Sequence, residues 1–352
     1  MQKRVAIIGT GALGGYIGGN LAHHGCDVTL VDMWPENLEA IRTRGLELDG
    51  VTAEEKFTVR TAKTLHLDDI QELGKGKPVD IAFIAVKSYD TERVTKAVQP
   101  LLAPDGYAVS LQNCINEGTI AAIVGADRTL GVIASIISVE LYAAGRIRRM
   151  AAKGGDQHTV FRIGEVSGNL SDRVAELVAM FSLIDSTKAT TNLEGERWSK
   201  LIQNSMRNGI AAATGFTSGE CDRNDVTRRL AIKIGGEGVR VAQALGISLV
   251  GLGGMTPERL ALASEGDAAA LAEVEAIMVS RNASNPRAGI QRPSMAQDMK
   301  KGRRTEIEFM NGFIAARGRE AGIATPANLK LMDVVLRVER GELKQSPTNL
   351  GA

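Results

Sequence analysis

Six residues near the start of the chain, Gly9, Thr10, Gly11, Ala12, Leu13 and Gly14, have the composition of a phosphate-binding turn. They follow the apolar run Arg4–Ile8 and open into Ala12–His24, so they fall between an expected strand and an expected helix. In that setting Gly9 permits the tight turn and Gly11 lets backbone N–H groups approach a pyrophosphate at the helix N-terminus, while Gly14 lets the helix lie close to the sheet. A second expected strand, Asp27–Asp32, ends in an acid whose carboxylate can accept hydrogen bonds from adenosine ribose hydroxyls. The chemistry implied is dinucleotide binding.

A second set of polar groups lies further along. Lys200, Asn204 and Asn208 stand at i, i+4 and i+8 within Glu194–Ala213, a stretch with helical spacing. One ammonium and two amides then share one stripe of a helix. A solvated face has the same look, but amides are mediocre helix formers and the rest of the stretch is too apolar for a simple surface helix. The four histidines, His23, His24, His66 and His158, fall outside both sets, so neither a histidine relay nor a metal site is expected.

The elements that must position these groups come in two kinds. Strands and helices alternate in the first part of the chain. Pro35–Arg42 reads as a helix closed by Gly45, and Leu46–Arg60 as a hairpin around Asp49-Gly50. Ile81–Val86 and Tyr107–Leu111 are buried parallel strands joined by a helix over Thr91–Leu102. Leu130–Val139 and Thr159–Ile163 complete the sheet, with antiparallel pairing across Gly145. From about Asn192 the strand signals stop, and Glu194–Ala213, Asp225–Leu245, Ala268–Ser280, Glu306–Ala321 and Pro326–Arg340 all carry helical spacing. The expected fold is α/β, an N-terminal Rossmann-type doubly wound sheet followed by an all-α C-terminal domain. Residues 1–190 form the expected dinucleotide-binding domain and 191–352 the helical substrate and catalytic domain. Val250–Gly289 reads as a helical insertion with a mobile loop around Arg281–Pro293, and the substrate is expected in the cleft between the domains.

Composition narrows the class. The 352 residues, 44% hydrophobic and 24% charged with a net charge of +1, suit two ordinary globular domains and give no electrostatic case for nucleic acid or anionic membrane. Three cysteines, Cys26, Cys114 and Cys221, form no C-x-x-C pair, so no disulfide framework or zinc site is expected. No signal peptide precedes the first strand, and no apolar run reaches the ~18 residues of a membrane span; a cytoplasmic location is the expectation.

Several motifs occur in order: Gly9–Tyr16, Val86-Lys87, Leu111-Gln112-Asn113, Arg197-Trp198-Ser199-Lys200-Leu201-Ile202-Gln203-Asn204 with Asn208, Ser294–Asp298, and Thr305–Gly312. The chain resembles the ketopantoate reductases (2-dehydropantoate 2-reductases) at these positions. The resemblance implies NADPH-dependent reduction of a 2-oxo acid, with Lys200 protonating the carbonyl oxygen as general acid. It implies that Glu306 helps hold Lys200 and the cofactor ribose. Asn204 and Asn208 would bind substrate oxygens and Ser294 the carboxylate. Asn113 would touch both nicotinamide ribose and substrate, and Lys87 would point into the same crevice. Cys114 follows Asn113 where the family usually has glycine.

Two features of the chain point to different cofactors. The family resemblance implies NADP, whereas Asp32 would repel a 2′-phosphate and bind the free diol, and Met33-Trp34-Pro35 follows it without an arginine. The cofactor is therefore NAD or NADP, with NAD favoured by Asp32. The expected partner is a small 2-oxo or 2-hydroxy acid, and any self-association is expected to be a homodimer. Two rivals stand beside this reading. One is an NAD-dependent dehydrogenase of the same family acting on a bulkier hydroxy compound. The other is a non-catalytic nucleotide-sensing protein, against which the retained Lys200, Asn204, Asn208 and Glu306 argue.

Overall fold

A computed structural model describes residues 3–283 and 292–351. The chain divides into two compact units, Met1–Leu193 and Glu194–Ala352. Strands of the first unit are β1 (Arg4–Ile8), β2 (Asp27–Asp32), β3 (Leu46–Asp49), β4 (Phe57–Val59), β5 (Lys63–His66), β6 (Val79–Ile84), β7 (Leu102–Ser110), β8 (Thr129–Ala134), β9 (Val139–Ala143), β10 (Arg146–Arg149), β11 (Phe161–Glu165) and β12 (Thr187–Ala189). Its helices are α1 (Ala12–His23), α2 (Pro35–Arg44), α3 (Thr91–Val98), α4 (Glu117–Val124) and α5 (Asp172–Ser182).

Eight strands form one sheet in the order β5-β2-β1-β6-β7-β8-β11-β12. Every neighbouring pair is parallel except β8 and β11. The order reverses between β1 and β6, which is where open α/β sheets bind ligands at their carboxyl edge. Side-chain alternation feeds two cores: Val5 and Ile7 of β1 join one, Ala6 and Ile8 the other. Burial on both faces explains why β1 and β6 read as continuous apolar runs.

The remaining strands form a second sheet, β4-β3-β10-β9; its antiparallel β3–β4 pair is the hairpin expected over Leu46–Arg60, whereas the parallel joining of β3 to β10 is not announced by the sequence. The turn at Gly145, with φ +72°, joins β9 to β10. The expected pairing across Gly145 is therefore real but belongs to this second sheet, and the antiparallel β8–β11 pair closes around it. Helix α1 lies between the two sheets. A Cβ on Gly18 would stand 2.6 Å from Leu30 in β2, and one on Gly19 would stand 2.8 Å from Leu46 in β3. Only hydrogen at these positions lets both sheets approach the helix.

Beyond β10 the chain is fastened by Arg149, whose guanidinium meets the Asp185 carboxylate at 2.5 Å with both side chains essentially sealed from solvent. Arg149 also donates to the Tyr16 hydroxyl on α1 and to the carbonyls of Ala151 and Ala152. Burial alone would pull the Arg149 pKa down; Tyr16 and Asp185 outweigh it and hold it above the usual arginine value.

The second unit is helical: α6 (Leu193–Ser205), α7 (Asn208–Thr214), α8 (Ser218–Arg223), α9 (Asp225–Ala244), α10 (Pro257–Glu265), α11 (Ala268–Ala283), α12 (Ser294–Lys300), α13 (Ile307–Ala321) and α14 (Pro326–Glu339). The single helix expected over Glu194–Ala213 is two, broken at Met206-Arg207. Tertiary packing overrides propensity there. Met206 lies under Gly235 of α9, and Asn311 of α13 donates to the Ser205 carbonyl at 3.4 Å, where a continuing helix would place its own N–H. The segment expected as an insertion forms α10 and α11, with Thr256 capping α10 and Gly266 ending it. Most of the loop expected at Arg281–Pro293 lies outside the described residues. Among the described residues no helix is long and apolar enough to cross a membrane.

Candidate functional site

In the first unit the turn between β1 and α1 is built by its glycines. Gly9 has φ +103°, and a Cβ there would lie 2.8 Å from the Ala85 carbonyl carbon and the Val86 nitrogen at the end of β6. A Cβ on Gly14 would lie 2.1 Å from the Gly9 carbonyl oxygen. Those two glycines are required by the fold. Gly11 is different: its φ is −74° and an added Cβ would meet nothing within 4 Å. Neither conformation nor packing asks for glycine there, so the open space at the α1 N-terminus is a cradle that a side chain would fill. Thr10 is buried and its hydroxyl donates to the Val31 carbonyl at 3.2 Å, fastening the turn to β2. Ala12 and Leu13 form the first turn of α1. The residues present fit a dinucleotide pyrophosphate.

Asp32 ends β2 with its Oδ1 accepting from the Met33 and Trp34 N–H groups at 2.7 and 3.2 Å. The loops after β6 and β7 are tied to each other at the same edge of the sheet. Gln112 donates to the Val86 carbonyl and to the Thr91 hydroxyl, both at 2.8 Å, and Asn116 donates to the Asn113 carbonyl and the Ser88 hydroxyl. Lys87 and Asn113 thus stand on adjoining loops after β6 and β7, of which the first packs against the Gly9 turn. The Gln112 and Asn116 ties were not foreseen, although Gln112 lies inside the quoted motif.

Cys114 has φ +63° and is buried. A side chain in this left-handed conformation costs about 1–2 kcal/mol, which explains why glycine suits the position. We expect Cys114→Gly to be within about 1 kcal/mol of wild type, relief of strain offsetting the lost burial, and Cys114→Val to lose about 2 kcal/mol or more. Chemical denaturation decides it; equal losses for both variants would remove backbone strain as the explanation.

In the second unit Lys200 and Asn204 are half-buried on α6, one turn apart. Asn208 does not continue their helix but opens α7. Its Nδ2 donates to the Asn204 carbonyl at 3.0 Å, and its Oδ1 accepts from the Ser294 hydroxyl at 3.2 Å. The structure therefore brings Asn204, Asn208 and Ser294 together across the helix break. Glu306 is buried at the N-cap of α13. The Thr305 N–H and hydroxyl before it both bond Glu339 of α14, at 2.9 and 2.7 Å. Asn311, fully buried, donates to the Asn328 side chain as well as to Ser205. Asn328 in turn donates to Glu237 and to the Ile234 carbonyl of α9. This buried polar network holds the C-terminal end of α6, and sequence reading missed it. The asparagine was visible within Thr305–Gly312, but nothing local says which carbonyl it would take. Among the described residues no cluster of metal-ligating side chains is present.

Family models described as "Ketopantoate reductase PanE/ApbA" and "Ketopantoate reductase PanE/ApbA C terminal" match residues 5–161 and 192–339. A 2-dehydropantoate 2-reductase of Archaeoglobus fulgidus is 30% identical over 347 residues, covering 96% of this chain and 99% of that protein. Among solved structures, a PanE/ApbA family ketopantoate reductase from Ralstonia eutropha JMP134 aligns with a TM-score of 0.76 at 27% identity, covering 96% of this chain and 99% of its own. A D-mandelate dehydrogenase solved with NADH and anilino(oxo)acetate shares the fold, with a TM-score of 0.78 at 22% identity over 96% of this chain and 98% of its own.

Proposed function

The chain belongs to the ketopantoate reductase family, oxidoreductases acting on CH–OH groups, and from that premise we propose that it interconverts a 2-oxo acid and the corresponding 2-hydroxy acid with Lys200 as general acid. The strongest support is that the family match spans both units, so the Gly9–Gly14 turn and the Lys200 segment are matched together. Gly9 to Gly14, Asp32, Lys87 and Asn113 would hold the nicotinamide dinucleotide. When bound, that cofactor supplies or accepts hydride at the substrate's C2 carbon.

The chain's own residues do the rest. The Lys200 ammonium stabilises charge developing on the carbonyl oxygen and hands it a proton. Glu306, a buried carboxylate, would keep the ammonium charged and oriented. Asn204 would bind a substrate oxygen. Ser294 carries one hydroxyl proton, now given to Asn208, so a substrate carboxylate would have to draw it away. We assign NAD(H) as the preferred cofactor, because the Asp32 carboxylate at the end of β2 suits a free ribose diol.

The test is a panel of 2-oxo acids, ketopantoate included, assayed with NADH and NADPH. A kcat/KM for ketopantoate of about 10⁴ M⁻¹s⁻¹ or more would identify ketopantoate as the substrate. Absence of turnover on every 2-oxo and 2-hydroxy acid would overturn the reading. Asp32 also favours a second possibility, an NAD-dependent dehydrogenase of a bulkier hydroxy compound. The same panel run oxidatively with NAD separates the two.

A further inference from the structure

The end of β2 carries more than its acid. Arg93, from α3, places its Nη2 2.6 Å from the Met33 sulfur, one residue after Asp32. Opposite Asp32 in the ladder stands His66 of β5, whose Nε2 bonds the Met33 carbonyl at 3.2 Å while its Nδ1 receives the Asp68 N–H. An arginine sixty positions away in sequence is thus brought beside the residue that follows Asp32.

We propose that Arg93 is a second determinant of cofactor choice, a guanidinium that receives the 2′-phosphate of NADP(H) beside the ribose acid. The inference rests on the cofactor reading above and extends it: preference for NAD(H) is graded, with Asp32 opposing the phosphate and Arg93 attracting it. Three observations support it. The Asp32 Oδ1 is already engaged by two backbone N–H groups, which draws part of its charge onto its own turn. Arg93 is a little over half exposed and able to swing. Its ion pair with Asp90 is loose, at 3.7 Å, and a surface pair of that kind is worth little. A phosphate dianion offers the guanidinium fork a better, bidentate partner.

Binding, rather than turnover, is the readout. NADH and NADPH are titrated by nicotinamide fluorescence against wild type, Arg93→Ala, Arg93→Lys, Asp32→Ala and the Asp32→Ala/Arg93→Ala double variant. Arg93→Ala is expected to weaken NADPH about tenfold, one charge-assisted contact, and to move NADH by less than about twofold on the same scale. Arg93→Lys should recover part of the loss. In the Asp32→Ala background NADPH tightens, and the double variant loses that gain. The proposal is overturned if NADPH affinity is the same with and without Arg93 in the Asp32→Ala background. It is equally overturned if Arg93→Ala weakens both cofactors alike, the mark of a purely structural role. Failure of wild type to bind either cofactor would instead overturn the broader functional reading.

Discussion

Replacing Lys200 by alanine should lower turnover about 10²–10⁴-fold on the best substrate while leaving cofactor affinity close to wild type. The size follows from the role proposed for it: a positioned proton donor would be lost, and no histidine belongs to any of the site motifs. Lys200→Arg separates proton transfer from charge. Arginine keeps the positive charge but does not surrender a proton in this pH range, so it should remain far below wild type. Steady-state kinetics with cofactor titrations decide the matter. An alanine variant retaining more than roughly half of wild-type turnover sinks the assignment, and a fully active arginine variant would make the lysine a charge stabiliser only.

The second large effect concerns stability. Asp185→Ala should destabilise the first unit by about 3–5 kcal/mol, the usual cost of leaving one partner of a buried ion pair uncompensated. The loss goes beyond charge. Asp185 Oδ1 also accepts the Gly154 and Ser186 N–H groups, at 2.9 and 2.7 Å, and those donors would lose their acceptor. Asp185→Asn keeps an oxygen for them and should cost less. Replacing both partners, as in Arg149→Met with Asp185→Leu, should recover part of the loss, since a buried pair often differs little from apolar residues of similar volume. Denaturant unfolding of the three variants orders them; an alanine variant within about 1 kcal/mol of wild type would contradict the argument.

The sequence was most legible where one residue type has one physical job. Gly9 and Gly14 are glycine because a Cβ would strike the backbone of Ala85 and of Gly9, and Gly11 is glycine although nothing in the chain requires it. That contrast separates, within a single motif, the glycines the fold requires from the one proposed to leave room for a ligand. The parallel strands were legible for a similar reason, because burial on both faces leaves an unbroken apolar run. The break between α6 and α7 was not. Every residue from Lys200 to Ala213 tolerates a helix, and the interruption comes from Met206, Asn208 and Asn311 meeting partners far away in sequence. The joining of β3 to β10 escaped because the pair is parallel and about a hundred residues apart, and β10 has only 4 residues, too few to display a period. Arg93 escaped because only the fold brings α3 to the end of β2. Start and stop signals for α10, Thr256-Pro257 and Gly266, were present but stood in an Ala- and Gly-rich region without a clear apolar stripe.

The position of α1 between two sheets bears on how the chain is assembled during synthesis. β3 and β4 leave the ribosome soon after α1, but β3 gains its parallel partner only when β10 arrives, with Glu47 opposite Arg146. Until then the edge of β3 carries unpaired backbone groups, and Ile147 is missing from the side of α1 that Gly15 leaves open for it. β1, β2, β6, β7 and β8 all precede β9, so a nascent chain halted there already carries the whole Gly9–Gly14 turn. It does so on a helix with one side incompletely covered. Long-range parallel pairing forms slowly, and exposed strand edges invite association. Pauses in translation before β10, or truncations there, therefore leave the first unit open to aggregation.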